Sequence, residues 1–178
     1  ALGHTSDDQV ETVLMHVMRG SGLGGLKGME LISTRSMEGT TLNIFRPLLS
    51  ISRITVESYC ARTELTPRVD STNLSTEFTR NSVRLELIPL MERYNPSARK
   101  ALIRLSRSAS RDLLFLEQAT SKAWKASCEV SSGLVTINTD SLLALPKALG
   151  YRVLKRAAAK VMGTTNDLLM EHVESMMR

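Results

Sequence analysis

A chain of 178 residues is long enough for one domain of ordinary size, or for a small domain with part of another. Its residues are 42% hydrophobic, and apolar positions recur along the whole length, which excludes a disordered chain. The 23 Lys and Arg outnumber the 18 Asp and Glu, and this net charge of +5 is compatible with a nucleic-acid partner without requiring one.

The cysteines and the hydropathy pattern indicate a cytoplasmic protein. Neither Cys60 nor Cys128 belongs to a CxxC motif or a Cys/His cluster, so free thiols in a reducing cytosol are expected. No apolar run approaches the roughly 20 residues of a membrane span, and no signal peptide opens the chain. The sequence therefore predicts no membrane partner. It starts at Ala1 rather than Met, which indicates a fragment.

The first elements are predicted from capping and periodicity. Ser6 and Gln9 have the S-x-x-Q spacing of a capping box, and apolar residues recur at helical spacing until Gly20, so a helix is expected there. Residues 20–40 are rich in glycine and predict a loop. Residues 42–49 form a short apolar run that is more typical of a strand than of a helix.

Helices are predicted for most of the rest of the chain. One is expected over residues 52–62, buried through Ile54 and Tyr59, and another over residues 80–93, bent or restarted near Pro89. Later elements are predicted as a helix from Asn95-Pro96 to about Ala126, a strand or extended link over residues 134–137, and helices over residues 146–162 and 166–177. The Asn-Pro step is also the predicted domain boundary.

The long predicted helix carries a basic stripe. At about 100° per residue, its basic side chains fall within a narrow range of angles, opposite an apolar face. The basic residues are Lys100, Arg104, Arg107 and Arg111, and the apolar ones are Leu102, Leu105, Ala109, Leu113 and Leu116. A second basic face comprises Arg152, Lys155, Arg156 and Lys160. Solvated surfaces and phosphate contacts are both open interpretations, and two such faces favour a polyanionic partner.

Two carboxylates near the chain start are the first candidates for chemistry. Asp8 and Glu11 are three residues apart and share a helical face, with His4 just before the first turn. Such a pair can hold Mg²⁺ or a substrate ammonium, or can position an attacking amine. Acidic residues at a helix start are also ordinary partners of the helix dipole, so both interpretations stay open.

Glycines and arginines give further candidates. Residues 20–25 match G-x-G-x-x-G, but they follow a helix rather than a strand, so a dinucleotide-binding interpretation fails. Arg80 and Arg84 are four residues apart on one predicted helical face and can clamp a phosphate. The alternative is a surface ion-pair network with Glu77 or Glu86.

Several segments form a specific combination when they are taken in order. They are GHTSDDQVET, RGSGLGGLKGM, FRPLLSISR, the DSTN segment at Asp70–Asn73, FTRNSVR, LIPLMERYNP and LPKALGYRVLKRA. Together they cover nearly the whole chain, although each is modest by itself. This combination resembles tRNA(Ile)-lysidine synthases, which are members of the PP-loop ATPase group.

The resemblance implies a tRNA-modifying ligase. Enzymes of this family use ATP and Mg²⁺ to adenylate the C2 oxygen of the wobble cytidine in an isoleucine tRNA with a CAU anticodon. The side-chain amine of free lysine then displaces AMP and gives lysidine. Positive charge near the phosphate helps, because adenylation turns a poor leaving oxygen into a good one.

The resemblance also implies roles for particular residues. Asp8 and Glu11 would handle lysine or metal, with Mg²⁺ at Asp8, and Arg80 would support the adenylated intermediate. Substrate binding is implied for His4, Asp7, Asn81 and Arg84. Contacts with tRNA are expected from Lys100, Arg104, Arg107, Arg111, Arg152 and Arg156.

The implied fold is mainly α. It combines the remnant of an α/β PP-loop ATPase domain, over residues 1–94, with a helical tRNA-binding module over residues 95–178. The family's SGGxDS-type phosphate loop is missing from this sequence, and Leu85 stands where a histidine is common. The chain alone is therefore predicted not to adenylate tRNA. An incomplete sheet can expose apolar edges, so a homodimer is one expectation.

Two alternatives stay open. The first is a non-catalytic helical module that binds nucleic acid through its two basic faces. The second is a different PP-loop tRNA modifier, although such enzymes often use cysteine clusters for sulfur or iron–sulfur chemistry. The two isolated cysteines argue against that second alternative.

Overall fold

The computed structural model describes residues 1–37, 40–68 and 79–163, together with Ser175. The DSTN segment, Glu77 and Phe78 lie outside the described residues, and so does most of the helix predicted over residues 166–177. The described part is mainly α-helical, with two antiparallel hairpins. The chain divides into two compact units, Ala1–Leu113 and Leu114–Arg178. The domain boundary predicted between residues 94 and 95 stays a prediction.

The first unit combines helices with one hairpin. Its helices are α1 (Ser6–Met18), α2 (Leu23–Leu26), α3 (Arg53–Arg62), α4 (Thr79–Ser82) and α5 (Ile88–Tyr94), and a π-helical turn (Val83–Leu87) joins α4 to α5. Strands β1 (Ile32–Met37) and β2 (Thr40–Phe45) pair antiparallel, with Ile32 opposite Phe45. The helix α6 (Ala98–Ser127) contributes its first part to this unit.

Helix α1 is capped by a different pair from the one its sequence indicated. The N-cap is Thr5, and the carboxylate of Asp8 accepts hydrogen bonds from the Thr5 backbone N–H at 2.8 Å and from its hydroxyl at 2.9 Å. Ser6 is therefore the first helical residue, and the predicted capping box of Ser6 with Gln9 is wrong. The carboxylate wins because an ionised acceptor makes stronger hydrogen bonds than a neutral amide.

Two predictions in the middle of the first unit are corrected. Residues 20–40, predicted as a loop, contain α2 and β1. The run over residues 42–49 does include a strand, which ends at Phe45. Helix α3 has nearly the predicted bounds, but Ile54 and Tyr59 are exposed by 71% and 54% rather than buried. Burial fails because no side chain of α3 enters the core of this unit.

The core of the first unit joins α1 to the later helices. Val10 and Leu14 of α1 pack against Val83 and Ile88, and all four are buried. The π-helical turn ends at Leu87, and α5 starts at Ile88 with Pro89 in its first turn. The predicted restart of the helix near this proline is confirmed, and it fits the missing N–H of proline, which cannot donate to the preceding turn.

Helix α6 confirms the predicted long helix, with one correction to its buried face. Ala109 and Leu113 are buried, but Leu105 is 43% exposed. Ser106 lies on the buried face instead, 3% exposed. Its hydroxyl donates to the carbonyl of Lys27 at 2.7 Å, so the buried polar group is satisfied.

The second unit has its own core. After α6 it contains β3 (Cys128–Ser131), β4 (Leu134–Ile137), α7 (Thr139–Leu143) and α8 (Lys147–Met162). The buried core residues are Ala123, Leu142, Val153 and Leu154. The predicted strand over residues 134–137 and helix over residues 146–162 are confirmed, whereas β3 and α7 were missed. Gly163 ends α8 in the left-handed conformation, with φ 73°.

Within the ranges that the structure describes, no helix is both long and apolar enough to span a lipid bilayer.

Candidate functional site

An open cleft of about 590 Å³ lies in the first unit beside the start of α1. Its wall carries charges of both signs. The acidic residues are Asp7, Asp8, Glu11 and Glu57, and the basic ones are Arg53, Arg68, Arg84 and Arg99. Leu85, at the position where the resemblance leads to a histidine, also lines it. Such a wall suits a ligand that carries both an anionic and a cationic group.

Glu11 is the most deeply buried acid of this site. Its side chain is 1% exposed, and its two oxygens accept three hydrogen bonds from guanidinium groups. Arg84 donates through Nε at 2.6 Å and through Nη2 at 3.0 Å, and Arg80 donates through Nε at 2.8 Å. A buried carboxylate requires such partners, because burial without them would cost several kcal/mol.

Asp8 extends the same cluster toward solvent. Its side chain is 20% exposed, and its Oδ1 accepts from Nη2 of Arg80 at 3.2 Å and lies 3.6 Å from Nη2 of Arg84. Burial raises the pKa of the Asp8 carboxyl, but the hydrogen bonds from Thr5 and the charges of Arg80 and His4 outweigh it and hold the pKa below its usual range. Asp8 is therefore an anion at neutral pH.

Among the described residues, the two arginines pair with acids of α1, whereas Glu77, one partner in the alternative surface network, lies outside the described residues. The hydrogen bonds to Glu11 raise the pKa of Arg84, against the opposing effect of burial. Its ion pairs, and those of Arg80, join Asp8 and Glu11 of α1. We define the Asp8–Glu11–Arg80–Arg84 cluster as these four residues.

Asp7 connects three elements around the cleft. Its carboxylate accepts from the Arg53 backbone N–H at 2.7 Å, at the start of α3, and from Nη1 of Arg99 at 2.9 Å. Nε of Arg99 also donates to Glu92 at 2.8 Å. The sequence singled out Asp7 but missed Arg99, because no local pattern marks a pair so far apart in the chain.

The other predicted site residues are only partly brought together. Of the described residues that line the cleft, Asp7 and Arg84 were predicted to bind substrate. His4, Asn81 and Arg80 are not among those lining residues. Nδ1 of His4 is buried with no hydrogen-bond partner within the described ranges, and Asn81 is buried. Their predicted roles stay predictions.

Those of the described residues that surround Asp8 do not by themselves form a magnesium site. Its Oδ2 accepts from Thr5, and its Oδ1 faces the guanidinium of Arg80. In the part of the chain that the structure describes, no group of three or more His, Cys, Asp and Glu side chains could hold a metal ion. Mg²⁺ at Asp8 stays a prediction that needs ligands from elsewhere.

Gln9 is a buried residue of α1 that the sequence assigned to a cap. Its amide nitrogen donates to the Lys27 carbonyl at 2.9 Å and to Ser106 at 2.9 Å, and its oxygen accepts from the Met29 N–H at 2.7 Å. Gly28 has φ 67°, and a Cβ there would lie 2.6 Å from the Gln9 amide. Gln9 thus fixes the segment after α2 onto α1, and glycine is required at position 28.

The predicted basic residues are accessible within their own units. In the first unit, Lys100, Arg104, Arg107 and Arg111 are all exposed. In the second unit, Arg152 is partly exposed and Arg156 is exposed. The guanidinium of Arg156 lies over the ring of Trp124, 5.1 Å from its centroid. Trp124 was not singled out from the sequence.

Residues 1–91 match the family model of the PP-loop domain, and this range contains the Asp8–Glu11–Arg80–Arg84 cluster and every residue that lines the cleft except Arg99. The chain belongs to the PP-loop family.

Curated relatives extend the likeness beyond the PP-loop domain. Proteins named tRNA(Ile)-lysidine synthase are 37% identical in Clostridioides difficile strain 630, 34% in Dehalococcoides mccartyi strain CBDB1 and 35% in Clostridium tetani strain Massachusetts / E88. These likenesses cover 99%, 100% and 99% of this chain, but only 37%, 38% and 36% of the relatives. The resemblance inferred from the sequence motifs is confirmed.

Proposed function

We propose that this chain forms part of an ATP-dependent ligase that joins free lysine to the wobble cytidine of an isoleucine tRNA with a CAU anticodon, giving lysidine. The relatives' printed name and the PP-loop family support a tRNA-modifying enzyme. The observation that carries the proposal is the Asp8–Glu11–Arg80–Arg84 cluster beside a cleft of mixed charge.

The cluster offers an anion and a cation to substrates. Asp8 stays ionised at neutral pH and can accept the lysine ammonium or position its amine. Arg84 lines the cleft as a cation, and with Arg80 it can stabilise charge on the phosphate of the adenylated cytidine. Lysine nitrogen then bonds to C2 of the base, the bond from C2 to the activated oxygen breaks, and AMP leaves.

Glu11 is given a different part in this proposal from the one its spacing suggested. With three guanidinium hydrogen bonds on a side chain that is 1% exposed, it has little capacity for a further ligand. It acts on substrate through Arg80 and Arg84, by fixing both guanidinium groups. Glu11 is thus a positioning residue, while Asp8 remains the candidate for direct contact.

The basic stripe of α6 is the proposed tRNA surface of the first unit. Lys100, Arg104, Arg107 and Arg111 are exposed on one face of a helix, and phosphate contacts by such groups give strong, salt-dependent affinity. Arg152 and Arg156 of the second unit are proposed to add contacts from α8. The helical module over residues 95–178 is the proposed tRNA-binding part.

A chimera tests the proposed reaction. The segment of the Clostridioides difficile relative that aligns with this chain is replaced by residues 1–178, and incorporation of labelled lysine into unmodified isoleucine tRNA is measured with ATP. The chimera is expected to incorporate lysine, and Arg80→Ala is expected to lower its rate by about 100-fold, as for loss of one charge-stabilising group. Arg35→Ala, at an exposed position of β1, is the matched control. A rate for Arg80→Ala equal to that of Arg35→Ala would contradict the assigned role.

The isolated chain makes a second test. We expect the isolated chain to incorporate no lysine, and detectable incorporation would refute that prediction. Binding of the chain to the isoleucine tRNA is measured across a range of salt, against a methionine tRNA with the same CAU anticodon and duplex DNA. Preference for the isoleucine tRNA is expected. Equal binding to all three would leave the alternative of a generic nucleic-acid-binding module.

Charge reversal separates the proposal from that alternative. Replacing Arg104 and Arg107 by Glu is expected to weaken tRNA binding and to lower its salt dependence. In the chimera, Asp8→Ala is expected to abolish lysine incorporation with little effect on binding. If Asp8→Ala left incorporation unchanged while the charge reversal abolished binding, the non-catalytic alternative would be favoured. The predicted homodimer can be checked in the same samples by analytical ultracentrifugation.

A further inference from the structure

The charged side chains of helix α8 are all positive. Its sixteen residues, Lys147–Met162, include five Lys and Arg and no Asp or Glu. One of these cations, Arg156, lies over the ring of Trp124 and donates to the Ser121 hydroxyl at 3.2 Å. The hydrogen bond and the ring together fix the plane of an otherwise mobile guanidinium group.

The Trp124–Arg156 pair lines a pocket of about 440 Å³ within the second unit. Its other lining residues are Val130, Ala159 and Lys160. The lining is aromatic and aliphatic and includes two cations, Lys160 and the Arg156 guanidinium that lies over the Trp124 ring. Trp124 is partly buried and packs against the core of this unit, so the core holds its ring in place.

We propose that this pocket binds one unpaired nucleotide of an RNA partner. The base stacks on the Trp124–Arg156 pair, and Lys160 contacts a neighbouring phosphate. Unpaired bases stack on aromatic rings and on guanidinium planes, whereas paired bases present no free face. The inference rests on the proposed function in that it takes RNA as the partner, but it assigns a separate site in the second unit.

The composition of the pocket favours a nucleotide over an acidic peptide. The carboxylates of an acidic peptide would form solvated salt bridges with Arg156 and Lys160 alone. They would make no contact with the aromatic ring of Trp124 or with Val130. A ligand with both a planar ring and a phosphate uses the apolar floor and both cations.

Tryptophan fluorescence tests the proposal, because Trp124 is the only tryptophan of the chain. The full chain is titrated with a short oligouridine, with duplex RNA, with inorganic polyphosphate and with an acidic peptide. The oligouridine is expected to quench and shift the emission at saturation, whereas the other three leave it nearly unchanged. Equal quenching by polyphosphate or by the acidic peptide would overturn the proposal.

Variants give the second readout, the affinity for labelled oligouridine from fluorescence anisotropy. Arg156→Lys keeps the positive charge but removes the planar guanidinium group on which the base stacks. We therefore expect about tenfold weaker binding. Lys122→Ala removes an exposed charge from α6 outside the pocket and is expected to change binding less than twofold or so. Equal effects of the two variants on affinity would mean that oligouridine binds through general positive charge and not in this pocket, which would overturn the proposal.

The outcomes distinguish this inference from the proposed function. Selective binding of the isoleucine tRNA with no change in Trp124 emission would refute the pocket alone. Quenching by oligouridine together with equal binding of all tRNAs and DNA would support the pocket and count against the lysidine synthase assignment.

Discussion

Replacing Glu11 by Gln is expected to destabilise the first unit by about 2–3 kcal/mol. Breaking a buried ion pair by removing one partner costs about 3–5 kcal/mol, because the other charge stays buried without compensation. The expected cost lies at or somewhat below the bottom of this range, because Arg80 and Arg84 are 37% and 22% exposed and keep Asp8 as a partner. The Gln amide also points a donor at guanidinium donors, so a hydrogen bond is lost as well.

The measurement is the free energy of unfolding from urea titration, combined with hydrogen exchange of the α1 amides so that the first unit is followed by itself. The matched control is Glu57→Gln in α3. Glu57 pairs with Arg53 at 2.9 Å across one helical turn, but its side chain is 60% exposed. This pair is expected to contribute at most about 0.5 kcal/mol.

The comparison between the two variants tests whether Glu11 is a buried partner of the two guanidinium groups. If Glu11→Gln cost no more than Glu57→Gln, Glu11 would not be a buried partner of two guanidinium groups, and its positioning role would be refuted. A large loss of stability with an unchanged denaturant slope is the expected result.

Two further predictions concern residues around the cluster. Because the pKa of Asp8 is lowered by folding, its carboxylate stabilises the fold above its unfolded pKa of about 3.9, and this contribution is lost as the pH falls through the folded value. Asp8→Asn should therefore flatten the acid-induced loss of melting temperature below about pH 4, relative to the unsubstituted chain. Gly28→Ala should destabilise by roughly 1–3 kcal/mol, because φ is 67° and the new Cβ would lie 2.6 Å from the Gln9 amide. Its control, Gly24→Ala in α2, meets nothing within 4 Å, and urea titration should show no loss of stability.

Sequence patterns predicted those elements whose signals are local. Helix α6 was predicted nearly to its end, because its apolar residues recur at helical spacing and Asn95-Pro96 marks its start. Strand β1 was missed because its sequence, ISTRSM, is mostly polar and does not alternate clearly with an apolar face. The predicted burial of Ile54 failed for another reason, since burial depends on a partner surface that periodicity does not identify.

The candidate site divides in the same way. Spacing predicted that Asp8 and Glu11 share one face and that Arg80 and Arg84 share another. It could not predict that the two faces meet, because they are about 70 residues apart in sequence and packing joins them. The resemblance placed them in one site, and the structure pairs them directly. The contacts of Gln9 with Lys27 and Ser106 were missed for the same reason.

The cluster also limits how substrates can use it. Two carboxylates face two guanidinium groups, so an ammonium that binds Asp8 must compete with Arg80 for the same Oδ1 atom. On the proposed function, an anion that binds Arg80 would weaken its hold on Asp8 and leave that oxygen with only the longer 3.6 Å ion pair to Arg84. On the proposed function, the phosphate of the adenylated cytidine would thereby prepare Asp8 for the lysine amine. On the same proposal, Glu11 would keep both arginines in place during this exchange, because its side chain is 1% exposed and pairs with both guanidinium groups.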